Sequence, residues 1–180
     1  VAFLTLFFSI NPLLGSDPDP LCEMDCPQDD WIYKHVNDVQ IAPYSCPSCT
    51  ADISYWYRQG ACFGFFNDIQ VGLVYLENCG NCNLSPAELY QLAVYYVLTH
   101  NPMVPDKGDC ETNWRAVNAS CWKEVNWYLE SCLSYGCCWS KYRVCTDQDG
   151  VTSATSITYS SSTFTCDDPA EPECFTVCDD

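Results

Sequence analysis

Two C-x-x-C pairs, Cys46-Pro47-Ser48-Cys49 and Cys79-Gly80-Asn81-Cys82, form the sharpest chemical pattern in the chain. Four thiolates at this spacing can close a tetrahedral zinc site, and a single pair can run thiol–disulfide exchange. A third reading outweighs both. The 180 residues include 16 cysteines, a density at which thiols build a disulfide scaffold, whereas zinc thiolates belong mostly to reducing compartments. The expected bridging set is Cys22, Cys26, Cys46, Cys49, Cys62, Cys79, Cys82, Cys110, Cys121, Cys132, Cys137, Cys138, Cys145, Cys166, Cys174 and Cys178. Adjacent Cys137 and Cys138 should reach different partners, because a bridge between neighbours distorts the peptide. The pairing itself does not follow from the count.

Other chemistry is sparse. His35 and His100 are the only histidines; the second sits where a helix should end, a place where an imidazole complements the macrodipole without any catalytic role. Neither C-x-x-C is followed by His, and there is no G-x-S-x-G, H-E-x-x-H or Gly-rich phosphate loop. A Cys-Cys doublet also occurs in secreted phospholipases, but no His-Asp pair follows Cys137-Cys138. Asp147-Gln148-Asp149-Gly150 is half of a calcium loop and reads better as a turn. Asn118-Ala119-Ser120 is a glycosylation sequon. The expectation is a non-enzyme with no catalytic residue and no cofactor or dedicated metal site, beyond weak Ca²⁺ binding by its acidic flanks.

These residues must be positioned by secondary structure. Ser85-Pro86-Ala87-Glu88 is a capping box with Pro at the first helical position, and Leu89, Leu92, Ala93, Tyr96 and Val97 continue at helical spacing to His100-Asn101-Pro102. A second helix is expected over 113–133, where Val117, Cys121, Val125, Tyr128, Leu129 and Cys132 share a stripe led by Trp114. Trp139–Thr146 and Val151–Phe164 read as a β-hairpin around the Asp147–Gly150 turn. Ile53–Tyr57 and Phe63–Leu76 are further strand candidates, the latter also compatible with a helix. The fold class expected is therefore α+β, a small disulfide-rich secreted domain with two central helices and a C-terminal β-hairpin. Residues 1–16 form an apolar N-terminal segment, 17–30 an acidic linker, and 31–180 a single disulfide-rich domain ending in an acidic loop.

The N-terminal run Val1–Ile10 suits the apolar region of a signal peptide. Read with period two, it also places Ala2, Leu4, Leu6, Phe8 and Ile10 on one face, as in a strand that adds to a neighbour's groove. Charge excludes other partners. The 24 acids against 7 bases give a net charge of −17, which repels nucleic acid and anionic lipid, and no segment is long enough for a stable membrane span. The sequence thus points to an oxidising compartment, secreted or at the cell surface, and to a structural subunit of a filament, sheath or matrix. Such a protein would be a homo-oligomer assembled in part through its apolar N-terminus. The alternative is a secreted binding module, an adhesin or effector, using Trp56/Tyr57 or Trp122/Trp127/Tyr128. A secreted enzyme whose site is assembled from distant residues comes third.

Overall fold

Period-two alternation, not a helical stripe, organises most of the chain. A computed structural model describes residues 31–60, 66–132, 136–159, 166 and 173–178. Among these residues run nine strands and one helix: β1 (Ile32–Gln40), β2 (Thr50–Gly60), β3 (Phe66–Glu77), α1 (Pro86–His100), β4 (Cys110–Ala119), β5 (Cys121–Val125), β6 (Tyr128–Ser131), β7 (Cys137–Thr146), β8 (Thr152–Tyr159) and β9 (Phe175–Thr176). The apolar residues Ala2, Leu4, Leu6, Phe8 and Ile10, the linker 17–30, and Cys22, Cys26 and Cys62 lie outside the described residues.

All nine strands belong to one sheet. β2 runs antiparallel between β1 and β3. On its other edge β3 takes two neighbours in succession. Its first half pairs in parallel with β4 (Asn67↔Trp114, Asp68↔Arg115, Ile69↔Ala116), and its second half pairs antiparallel with β6 (Val74↔Leu129, Tyr75↔Tyr128). β4 and β5 are almost continuous. They part at Ser120, where the chain steps outward and β6 fits between β5 and β3. This step is buried and held by hydrogen bonds: the Ser120 hydroxyl and amide both donate to the Gly136 carbonyl, at 2.7 and 2.9 Å. β7 and β8 continue from β4 as an antiparallel hairpin, and β9 closes on β5.

A parallel pair cannot be joined by a tight turn, and α1 supplies the crossover from β3 to β4. It starts as its capping box predicts. The Ser85 hydroxyl accepts from the Glu88 amide at 3.3 Å, and the Glu88 carboxylate accepts from the Ser85 amide at 2.7 Å. That amide and the Ser85 hydroxyl hold the Glu88 carboxyl below its ordinary range. Leu89, Tyr90, Ala93, Val94, Val97 and Leu98 form the buried face of the helix. The sheet curls into a half-barrel, so that this face packs on β2 and β3 and also on β8 beyond β4 and β7. Tyr90 lies at the centre. Its ring is 4.2 Å from Trp122, and its hydroxyl donates to Asn118 Oδ1 at 2.8 Å.

The expectation of an α+β fold with two central helices is corrected: the protein is mostly β with a single helix. The segment expected to form the second helix contains most of β4 together with β5 and β6. Val117, Cys121, Val125 and Leu129 recur every fourth residue, and a spacing of four satisfies the period of a strand as well as that of a helix. Trp114, Val117, Trp122 and Val125 are β-formers, and Asn126 supplies a turn that no helix needs.

Six disulfides join described residues. Cys46–Cys82 and Cys49–Cys79 tie the β1–β2 connection to the loop before α1, and Cys110–Cys145 links β4 to β7. Cys121–Cys166, Cys132–Cys174 and Cys138–Cys178 fasten the C-terminal segment to the body. Cys137 is also disulfide-bonded. Such a set persists only under oxidising conditions, which places the protein outside the reducing cytosol. Among the described residues no helix is long and apolar enough to cross a membrane.

Candidate functional site

The second half of β3 and the β5–β6 turn build the most unusual surface of the molecule. Val125 and Tyr128 pair across a two-residue turn whose central residues both take positive φ, Asn126 at 51° and Trp127 at 71°. Turns of this kind suit the right-handed twist of a hairpin and favour Asn followed by Gly. Asn126 conforms; Trp127 does not. A bulky residue in the left-handed region costs about 1–2 kcal/mol, and such outliers concentrate at functional sites.

What this strain achieves is visible in the contacts. The Trp127 carbonyl accepts from the Leu76 amide at 2.8 Å, which pins the turn against β3. The indole lies over Gly80, so close that a Cβ there would stand 2.9 Å from the ring. Gly80 itself sits between Cys79 and Cys82, both bridged to the β1–β2 connection, so the floor under the indole is covalently braced. Tyr75 and Tyr128, directly opposite in register, meet in a tilted contact with ring centroids 4.6 Å apart on the same side of the sheet. Beside Tyr75, between the end of β3 and Trp127, lies an open groove of about 440 Å³ lined by Tyr75, Leu76, Glu77, Asn78, Gly80 and Trp127. Asn78 also takes a positive φ, 56°, where β3 ends.

The groove offers an aromatic platform, a carboxylate acceptor and a side-chain amide within one rigid frame. Such a combination can receive a ligand: apolar ring faces supply area and a few polar groups supply orientation. Trp127 is 52 % exposed and Tyr128 39 %, a large exposed pair on a sheet whose other described aromatics, Tyr33 apart, are buried or half-buried.

The remaining residues singled out from sequence fall elsewhere. Trp56, Tyr57 and Trp122 are buried, so only Trp127 and Tyr128 of the two aromatic clusters are available to a partner. The two C-x-x-C motifs pair with each other in nested fashion, Cys46 with Cys82 and Cys49 with Cys79. Asp147 Oδ1 accepts from the Asp149 and Val151 amides at 2.9 and 2.8 Å, so the half calcium loop acts as a turn. His35 bonds Ser54 and Asn37 at 3.0 and 2.7 Å. His100 stacks on Tyr96, one turn earlier, at 4.2 Å. Asn118 is in the core beneath Tyr90.

Two features went unseen in the sequence. One is the Trp127–Gly80 contact, whose only local signal is Asn126 inside an apparent helical stripe. The other lies on the face of the sheet opposite α1. There Asp68 is fully buried and accepts from Arg115 Nε and Nη2 at 2.7 and 2.9 Å and from Arg58 Nε at 3.2 Å. Trp31 covers the Arg58 guanidinium at 4.3 Å and Phe66 covers that of Arg115 at 4.0 Å.

Compared with protein-family models, with curated proteins and with solved structures, the chain matches none.

Proposed function

We infer that this chain is a secreted or cell-surface binding domain, not an enzyme, and that it takes an uncharged carbohydrate in the groove beside Trp127. The observation that carries this reading is the indole held at a positive φ, half exposed, over a glycine braced by two disulfides. Packing over Gly80 uses only part of the ring, and the exposed part is the surface that the strained backbone presents to a ligand. The C–H face of a pyranose packs against an aromatic plane, while Glu77 and Asn78 can hydrogen-bond its hydroxyls. Net charge decides among sugars: at −17 the chain repels uronates and sulfated glycans. The test is a tryptophan-fluorescence titration with a panel of neutral hexose and N-acetylhexosamine oligomers, run on the native chain and on Trp127→Ala. A saturable change confined to the native chain supports the reading, and no response across the panel overturns it.

A structural role stands as the second reading because the sheet is open. Among the described residues β1 and β8 each pair along one edge only, and both expose apolar residues, Ile32 and Tyr33 on β1 and Ile157 on β8. Such edges accept an added strand. In this reading the strand is the segment bearing Ala2, Leu4, Leu6, Phe8 and Ile10 of a neighbouring copy, which makes the protein a filament, sheath or matrix subunit. Deleting residues 1–10 should then turn a sedimenting assembly into a folded monomer; a native chain that is monomeric at high concentration excludes it.

A further inference from the structure

The chain contains a second N-x-S/T tripeptide besides Asn118-Ala119-Ser120, namely Asn83-Leu84-Ser85. The structure separates the two sharply. Asn118 is 3 % exposed, accepts from the Tyr90 hydroxyl and is followed by fully buried Ser120. A glycan there would displace the packing of α1 on the sheet, so a chain carrying one could not reach this fold. Asn83 is exposed, in irregular backbone between bridged Cys82 and the start of α1. Ser85, the third residue of the tripeptide, is exposed too, and it is extended at φ −73° and ψ 159°, the conformation that Pro86 imposes on the residue before it. An exposed acceptor in a surface loop of a protein matured in an oxidising compartment meets the physical requirements for N-glycosylation.

We propose that Asn83 is the N-glycan acceptor of this protein. In the transfer, Asn83 Nδ2 bonds to C1 of the reducing-end sugar of a lipid-pyrophosphate-linked oligosaccharide. The bond from C1 to the phosphate oxygen breaks, the lipid pyrophosphate leaves with the electron pair, and the amide proton passes to a base of the transferase. No oxidant or reductant is involved. The site has a consequence for the surface around it. Asn83 belongs to the same loop as Gly80, the floor under Trp127, so the glycan would flank the groove and keep a second copy of the chain from packing flat on this end. The proposal is independent of what the groove binds.

The experiment is secretion of the full chain, behind a heterologous signal sequence, from a eukaryotic line with N-glycosylation, followed by intact-mass measurement before and after peptide-N-glycosidase. The expected result is one glycan, at incomplete occupancy because Pro86 stiffens the segment the transferase must bind. It should vanish in Asn83→Gln and persist in Ser85→Thr, which keeps both the hydroxyl acceptor signal and the helix cap. Secreted native chain without a glycan overturns the proposal, and so does a glycan that survives in Asn83→Gln, since that would lie at Asn118. Asn83 contributes no core contact, so the variant should be secreted at the native level.

Discussion

Asp68 and Arg115 face each other across the only parallel pairing among the described strands, and the carboxylate receives two of the guanidinium's N–H groups at 2.7 and 2.9 Å. Arg58 shares the same carboxylate from the other side. Two cations thus converge on one anion inside a protein that is otherwise strongly acidic. The carboxylate is what makes both guanidiniums tolerable there, because a buried charge without its counter-ion carries a large desolvation penalty. Asp68→Asn should therefore cost about 3–5 kcal/mol, the range for breaking a buried pair from one side. Urea unfolding of the two proteins checks this, and raising the salt concentration should not close the gap, because buried pairs are weakly screened. A loss below about 1 kcal/mol would mean that the cluster behaves as a surface pair.

The strained turn leads to a prediction with an inverted order. In ordinary backbone Ala is better tolerated than Gly. At position 127 the φ of 71° reverses the preference. Trp127→Ala loses the contact with Gly80 and keeps the strain, while Trp127→Gly loses the contact and relieves it, so the glycine variant should be the more stable of the two by about 1 kcal/mol. Both should lose carbohydrate binding. If the alanine variant proves the more stable, the strain argument for the groove fails.

Legibility in the sequence followed the specificity of the local signal. Ser85-Pro86 with Glu88 admits few conformations, and α1 begins at Pro86 as those residues require. The turn Asp147–Gly150 was equally plain, with Gly150 at φ 87° and the Gly150 amide donating to the Asp147 carbonyl at 3.1 Å. The stripe through Val117, Cys121, Val125 and Leu129 was not, since a spacing of four fits either period and the β-branched and aromatic content had to break the tie. The candidate groove was half legible. Trp127 and Tyr128 stood out as aromatics, but nothing local shows that Gly80, more than forty residues earlier, forms the floor beneath the indole. The Asp68–Arg115 pair was invisible for the same reason: register between distant strands is a property of the whole sheet.

Alkaline pH should weaken the fold through its buried phenols. Burial, with smaller contributions from Tyr57 and Tyr96, pushes the Tyr55 phenol up to about 12 from 10.0, and burial raises Tyr90 well above its ordinary value. Between these limits the unfolded chain has released protons that the folded chain still holds, so stability falls as pH rises from about 10 towards 12 and is unaffected by these groups below that window. Phenolate absorbance after a rapid pH jump should show a fast fraction and a delayed one that appears only with unfolding. Tyr55→Phe should remove part of the alkaline slope in denaturant midpoints measured across the same range; an unchanged slope would leave Tyr55 with no share in it.

The nested bridges Cys46–Cys82 and Cys49–Cys79 span 36 and 30 residues of chain and enclose nearly the same loop. In the chain-entropy account, closing a loop of that length in the unfolded state is worth about 3.7 kcal/mol. With one bridge in place the other closes only a small ring, because the two ends of each C-x-x-C lie three residues apart, and its separate worth drops to about 2 to 2.5 kcal/mol. Replacing either pair by serines should thus cost about 2 kcal/mol, and replacing both about 6, a coupling of over 1 kcal/mol that a double-mutant cycle in urea resolves. Binding should respond in the same order. One remaining bridge still fixes the loop that carries Gly80, so affinity for the neutral sugar is largely kept, whereas loss of both frees the floor under Trp127 and abolishes it. Strictly additive costs, or full affinity in the protein lacking both bridges, would show that the two disulfides do not brace the groove.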